Sequence, residues 1–191
     1  KFTFARKPGA DSFLSEDDVK EEDIDDAVIV HAGSCSLSVH PEAEATVKAM
    51  KLAHEKGKLV SFDVNYRNVM WNDDQDACAS FVMNVLQYVD FLKISEEEVD
   101  MVGGEAHLHE LMEKYDIAVV IETLDATGAG DAFWGGFLSS LRIQGIEKRE
   151  DLDAGKIQRA IEYGNVAGFI CVQTKGAIAS LPTREQIEAY L

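Results

Sequence analysis

The chain has 191 residues, 46% of them apolar, which is enough to bury a core and of a size that suits one domain. Its 18 basic against 35 acidic residues leave a formal charge of −17. That balance argues against a sequence-independent grip on nucleic acid or an anionic membrane and points to small-molecule partners.

Cys35, Cys78 and Cys171 are odd in number, far apart and outside any CxxC pair, so neither a disulfide framework nor a structural zinc site is expected. A reducing, cytoplasmic setting fits. No apolar run approaches the ~20 residues needed to span a bilayer. Lys1-Phe2-Thr3-Phe4 carries no signal-peptide core, and a start at Lys rather than Met is what a fragment of a longer chain is expected to show.

Phe2 and Phe4 alternate with polar neighbours as in a short strand, which Pro8-Gly9 breaks. The acidic run from Glu16 to Asp26 reads as a solvated loop with a short helix. Ala27 to Val30 predicts a short buried strand. Pro41 opens a helix that Gly57 ends, with Ala45, Ala49, Leu52 and Ala53 on one stripe. Leu59 to Phe62 is the next strand, which completes a βαβ unit with a parallel sheet.

Asn72 or Asp73 is positioned to cap a helix running to about Leu86, Phe91 to Ile94 predicts a strand, Ala106 to Lys114 a helix, and Ile117 to Ile121 a further strand. Helices follow from about Ala129 to Leu141, near Ile157 to Val172, and after Pro182. Helices on both faces of a parallel sheet are the expected arrangement.

The strongest local signal is Asp125-Ala126-Thr127-Gly128-Ala129-Gly130-Asp131, where a loop enters a helix. Its glycines allow close backbone approach, and the unpaired amides of Ala129, Gly130 and Asp131 at a positive helix end suit a phosphate. No Gly-Lys-Ser/Thr follows, so it is not a P-loop, and Phe133 at the third glycine position excludes a dinucleotide fingerprint. From these residues alone Asp131 is either a general base or a first-turn carboxylate stabilised by the helix macrodipole by about 0.3–1 kcal/mol.

This stretch resembles the DTxGAGD signature of PfkB/ribokinase-family carbohydrate kinases, with Ala126 in place of the usual Thr. The resemblance implies an α/β, ribokinase-like three-layer sandwich with a central, mainly parallel sheet, and ATP-dependent phosphorylation of a sugar hydroxyl. It makes Asp131 the base and Gly128, Ala129 and Gly130 the anion hole. Lys93-Ile94-Ser95-Glu96-Glu97-Glu98 is similar to the NxxE element, with Ser95 at the Asn position, so Ser95 and Glu98 would serve magnesium while Glu96 stays a surface acid at a helix start. Phe62-Asp63-Val64-Asn65-Tyr66-Arg67 with Trp71 resembles the FDxNxR…LW stretch, and Arg67 would hold the substrate or a phosphoryl oxygen, the alternative being a surface ion pair.

Asn165 to Ser180 looks like the family's nucleotide-binding helix and loop, which implies Asn165 near the adenine. Asp125, Thr127, Cys171, Thr174, Gly176 and Ser180 align with a monovalent-cation site made largely of backbone carbonyls, for which potassium is the implied occupant. His107 and His109 lack further ligands at metal spacing and read as surface residues, and Cys35 reads as a packed loop thiol.

Phe2 to Asp11 resembles the segment that returns from the small lid sheet in fructokinase-like members, and it favours fructose. Residues 1–14 are thus expected to be a remnant of the lid and its return strand, and 15–191 the kinase domain. Relative to the family, an amino-terminal segment with most of the lid is lacking, as is the TxGxxG turn and hairpin that would follow Ile121-Glu122. Residues absent from that point are expected rather than a shortened enzyme. The alternatives are 2-keto-3-deoxygluconate, ribose or a nucleoside as acceptor, or a catalytically silent regulator that binds sugar or nucleotide; whether the protein forms a homodimer is left open.

Overall fold

The apolar runs of the first half of the chain become strands, and the segments between them become helices. The computed structural model describes residues 8–123, 128–174, 176 and 178–191. The expected strand at Phe2 and Phe4 and the roles expected of Asp125 and Thr127 lie outside those residues. The chain divides into two units, Lys1–Glu122 and Thr123–Leu191.

In the first unit, β1 (Ile29–Gly33), β2 (Leu59–Asp63), β3 (Phe91–Ser95) and β4 (Val119–Thr123, whose last residue belongs to the second unit) form a sheet in the order β1-β2-β3-β4. The pairs β1/β2 and β2/β3 are parallel, with Ile29 opposite Leu59 and Ser61 opposite Phe91. The helices of this unit are α1 (Glu21–Asp26), α2 (Glu42–Glu55), α3 (Gln75–Val85) and α4 (Glu105–Tyr115). Acidic Glu42 and Glu44 suit the start of α2, and Gly57 at φ 67 supplies the left-handed turn that stops it.

Both faces of β2 are buried along its whole length, as expected of a covered parallel strand. One face joins a core of Val60, Phe62, Leu92 and Ile94 with Met50 and Ala53 of α2 and Val82 and Val85 of α3. The predicted stripe on α2 holds at Ala45 and Ala53, which are fully buried, while Ala49 and Leu52 are half-buried.

Three boundaries differ from the sequence reading. β1 begins two residues later than expected and is only half-buried, with His31 exposed, because it lies at an edge of the described sheet. β4 likewise starts at Val119 rather than Ile117. Neither Asn72 nor Asp73 caps α3; both adopt positive φ, 52° and 61°, and Asp74 caps instead by accepting from the Ala77 amide at 2.9 Å.

The second unit contains α5 (Ala129–Ile143), α6 (Ala154–Cys171) and α7 (Arg184–Glu188). α5 and α6 approach closely through small residues: a Cβ on Gly136 would lie 2.8 Å from the Ala167 Cβ, and one on Gly164 2.8 Å from the Phe133 carbonyl oxygen. Thr183 and Gln186 form a reciprocal cap on α7. Among the described residues no helix is long and apolar enough to cross a membrane.

Candidate active site

In the first unit the chemistry-bearing residues collect where β2 and β3 end. Asp63 and Lys93 are register partners there, and the Lys93 ammonium meets the Asp63 carboxylate at 2.6 Å with both side chains buried. A lysine within the run Phe91-Leu92-Lys93-Ile94 needs a partner once the strand is covered, so residue type signals this pair although it lies outside the roles expected of the motifs.

Past β2 the chain turns through Asn65, whose φ of 40° is a conformation that Asn tolerates better than most side chains. Its carbonyl oxygen accepts from Ser34 Oγ at 3.5 Å and more weakly from Cys35 Sγ at 3.7 Å, both on the turn after β1. Cys35 is therefore the packed loop thiol that was expected. The next amide, Tyr66 N–H, donates to Glu98 Oε1 at 2.6 Å, and the Arg67 guanidinium donates to the Tyr66 carbonyl at 3.0 Å. Met70 and Trp71 amides both bond to the Arg67 carbonyl, which closes the turn that leads to buried Trp71.

Glu98 is itself buried, at 7% exposure, whereas Glu96 and Glu97 beside it are exposed. Its second oxygen accepts from the Ser95 amide at 3.0 Å, and Ser95 and Glu98 together form a reciprocal cap at the start of the 3₁₀ turn Glu96–Val102. Each oxygen thus takes one N–H and keeps a further lone pair, so the carboxylate retains capacity to receive a water of a hydrated magnesium ion. The structure therefore joins Arg67, expected at the substrate, to Ser95 and Glu98, expected together at magnesium. His107 and His109 are exposed on α4, and among the described residues no group of acids, histidines and cysteines is arranged to hold a metal.

In the second unit Gly128 caps α5 in a left-handed conformation, φ 80° and ψ −18°. That value is open to glycine and strained for other residues. Ala129, Gly130 and Asp131 are the first residues of α5, so their N–H groups have no intrahelical acceptor, and the exposed Asp131 carboxylate stands in that first turn. Gly168 of α6 lies close beneath, since a Cβ there would be 3.2 Å from the Ala129 carbonyl oxygen.

Cys171 at the end of α6 donates weakly from Sγ to the Gly128 carbonyl at 3.6 Å and lies 3.2 Å from Ser180 Oγ. Three of the expected cation-site and anion-hole positions, Gly128, Cys171 and Ser180, are thereby brought together. Thr174 and Gly176 are exposed in the turn after α6, with the Thr174 amide 3.4 Å from the Cys171 carbonyl. Asn165 is exposed on α6.

The profile of the pfkB family carbohydrate kinases matches residues 1–123 and 114–184. Among curated proteins, a probable fructokinase-5 of Arabidopsis thaliana is 31% identical over 211 residues, which cover 96% of this chain and 64% of the relative. Fructokinase-2 of Oryza sativa subsp. japonica is 32% identical over 212 residues, covering 96% and 62%. The chain therefore spans a little under two thirds of the length of these relatives. Among solved structures, a double mutant of the fructokinase of Vibrio cholerae O395, in a form with fructose, ADP and potassium ion bound, is 28% identical with a TM-score of 0.84 over 99% of this chain and 67% of that one. The aminoimidazole riboside kinase of Salmonella enterica, complexed with aminoimidazole riboside and an ATP analogue, shares the fold at a TM-score of 0.79 and 24% identity, over 99% of this chain and 70% of that one.

Proposed function

Because this chain belongs to the pfkB family of carbohydrate kinases, we propose that it transfers the γ-phosphoryl group of ATP to a sugar hydroxyl, fructose first. Its fold is the α/β ribokinase-like fold of those enzymes. The observation that carries the reading is the start of α5, where left-handed Gly128 turns unpaired amides and the Asp131 carboxylate to one helix end.

In this reading Asp131 takes the proton of the acceptor hydroxyl. Gly128, Ala129 and Gly130 present the backbone that receives the negative charge spreading over the transferring group. Arg67, at the carboxyl edge of β2, supplies a fixed cation to the sugar or to a phosphoryl oxygen, in a chain with few cations to spare. Glu98 and Ser95 would organise magnesium, which when bound neutralises phosphate charge. Asn165 on α6 faces the adenine, and Asp125, Thr127, Cys171, Thr174, Gly176 and Ser180 hold potassium. The contact of Cys171 with Gly128 and Ser180 supports that last assignment without depending on an ion.

The same reading takes residues 1–14 as the remnant of the lid and its return strand and 15–191 as the kinase domain of a cytoplasmic enzyme. The family match falls into two segments that meet around residues 114–123, which supports absent residues beside Ile121 and Glu122. The decisive experiment is a coupled ADP-release assay on the intact protein with fructose, ribose, 2-keto-3-deoxygluconate and a nucleoside. Release with fructose above the others is expected; release with none sinks the kinase reading.

A further inference from the structure

We propose that Glu98 is a positioning residue for Arg67, acting through the Tyr66 backbone; this deepens, and rests on, the kinase reading above. A buried carboxylate needs hydrogen-bond donors, and donors that come from two different strand ends make it a tie between them. Glu98 has them: Tyr66 N–H on Oε1 at 2.6 Å and Ser95 N–H on Oε2 at 3.0 Å. The first bond spans 32 residues of sequence and ties the loop after β2 to the turn after β3.

The peptide between Asn65 and Tyr66 is held at both of its polar atoms, its N–H by Glu98 and its carbonyl by Ser34 and Cys35. The following carbonyl is held by Arg67 itself. The positive φ at Asn65 makes such restraint necessary, since the loop holds a conformation that most sequences leave. The path of the loop fixes where the Arg67 guanidinium begins, and Glu98 is the anionic member of that restraint.

The chemistry of the clamp separates it from a bare charge effect. Gln at position 98 offers one carbonyl oxygen and turns its amide N–H₂ toward the other backbone N–H, leaving a buried donor unpaired. Asp keeps the charge but is one methylene shorter and cannot reach both amides. Glu98→Gln and Glu98→Asp therefore both break the clamp, whereas only the first removes the charge.

The test uses the intact protein at saturating magnesium and reads two quantities. Hydrogen exchange of the Tyr66 amide, followed by NMR, is expected to quicken by about tenfold or more in both variants. Turnover with the accepted sugar is expected to fall by about tenfold or more in both, and Glu98→Gln combined with Arg67→Ala to stay within about threefold of Arg67→Ala alone, as for two residues acting as a unit. Glu96→Gln, on the exposed side of the same turn, leaves both readouts unchanged.

Retained protection at Tyr66, wild-type turnover in Glu98→Asp, or losses that multiply in the double variant would each overturn the proposal. A wild type that phosphorylates no sugar removes the kinase reading and the effect on turnover with it. The exchange result then still decides whether Glu98 holds Tyr66.

Discussion

Asp63 on β2 and Lys93 on β3 stand opposite each other in the sheet and close an ion pair at 2.6 Å, with 7% and 8% of their side-chain surfaces exposed. The backbone repeats the tie, since the Val64 amide donates to the Lys93 carbonyl at 3.0 Å. The pair therefore sits at the root of the loop that carries Arg67.

Removing one member of such a pair leaves an uncompensated charge in a covered strand. Lys93→Met in the intact protein is expected to lower unfolding stability by about 3–5 kcal/mol, and Lys93→Met with Asp63→Asn to recover part of that loss. Urea denaturation of the variants measures both. A single variant within about 1 kcal/mol of wild type would mean that the pair is solvated in solution.

The close contact of α5 and α6 makes a second prediction with its own control. Gly164→Ala places a methyl 2.8 Å from the Phe133 carbonyl oxygen and 2.9 Å from the Phe133 ring. Overpacking of that kind costs about 1–3 kcal/mol and outweighs the gain of up to ~1 kcal/mol from replacing a helical glycine. Gly135→Ala meets nothing within 4 Å and should be neutral or stabilising. Thermal melts in which the two variants behave alike would contradict the packing described.

Cys78 gives the pH dependence. The thiol is fully buried on α3, and burial pushes it up from 9.0 to about 11 against a smaller opposing effect of the Ser34 hydroxyl. In the unfolded chain the thiol ionises first, so the folded state keeps this contribution below about pH 9 and loses it as pH rises toward 11. The rise is worth roughly 3 kcal/mol. Urea midpoints between pH 8 and 11 should therefore fall more steeply in wild type than in Cys78→Ala, and alkylation at pH 8 should spare Cys78 until denaturant is added. Equal slopes would remove the buried thiol from the pH response.

The alternation of apolar runs and capped helical stripes makes the parallel sheet and its helices legible in the sequence. Its ends are less so. Asn72, Asp73 and Asp74 are all acceptable helix caps, so residue type cannot rank them, and the choice follows from backbone conformation: Asn72 and Asp73 take the left-handed turn and Asp74 is left to cap. The site divides the same way. Gly128 and Asp131 are readable because the proposed chemistry would need those side chains, or the lack of one, at fixed spacing. The bond from the Tyr66 amide to Glu98 is not, because every residue except proline has that amide and 32 residues separate the partners.

Transfer of phosphate from ATP to fructose with Asp131 as base is tested most directly by coupled ADP release in the intact protein, wild type beside Asp131→Asn. The wild type should phosphorylate fructose with kcat/KM at least about tenfold above ribose, a difference of ~1.4 kcal/mol in transition-state binding. The Asn variant should lose ~10²–10⁴ in kcat with little change in ATP binding. A better rate with ribose would cost the fructose assignment alone, whereas near-normal turnover in Asp131→Asn, or no transfer to any sugar by the wild type, would contradict the mechanism.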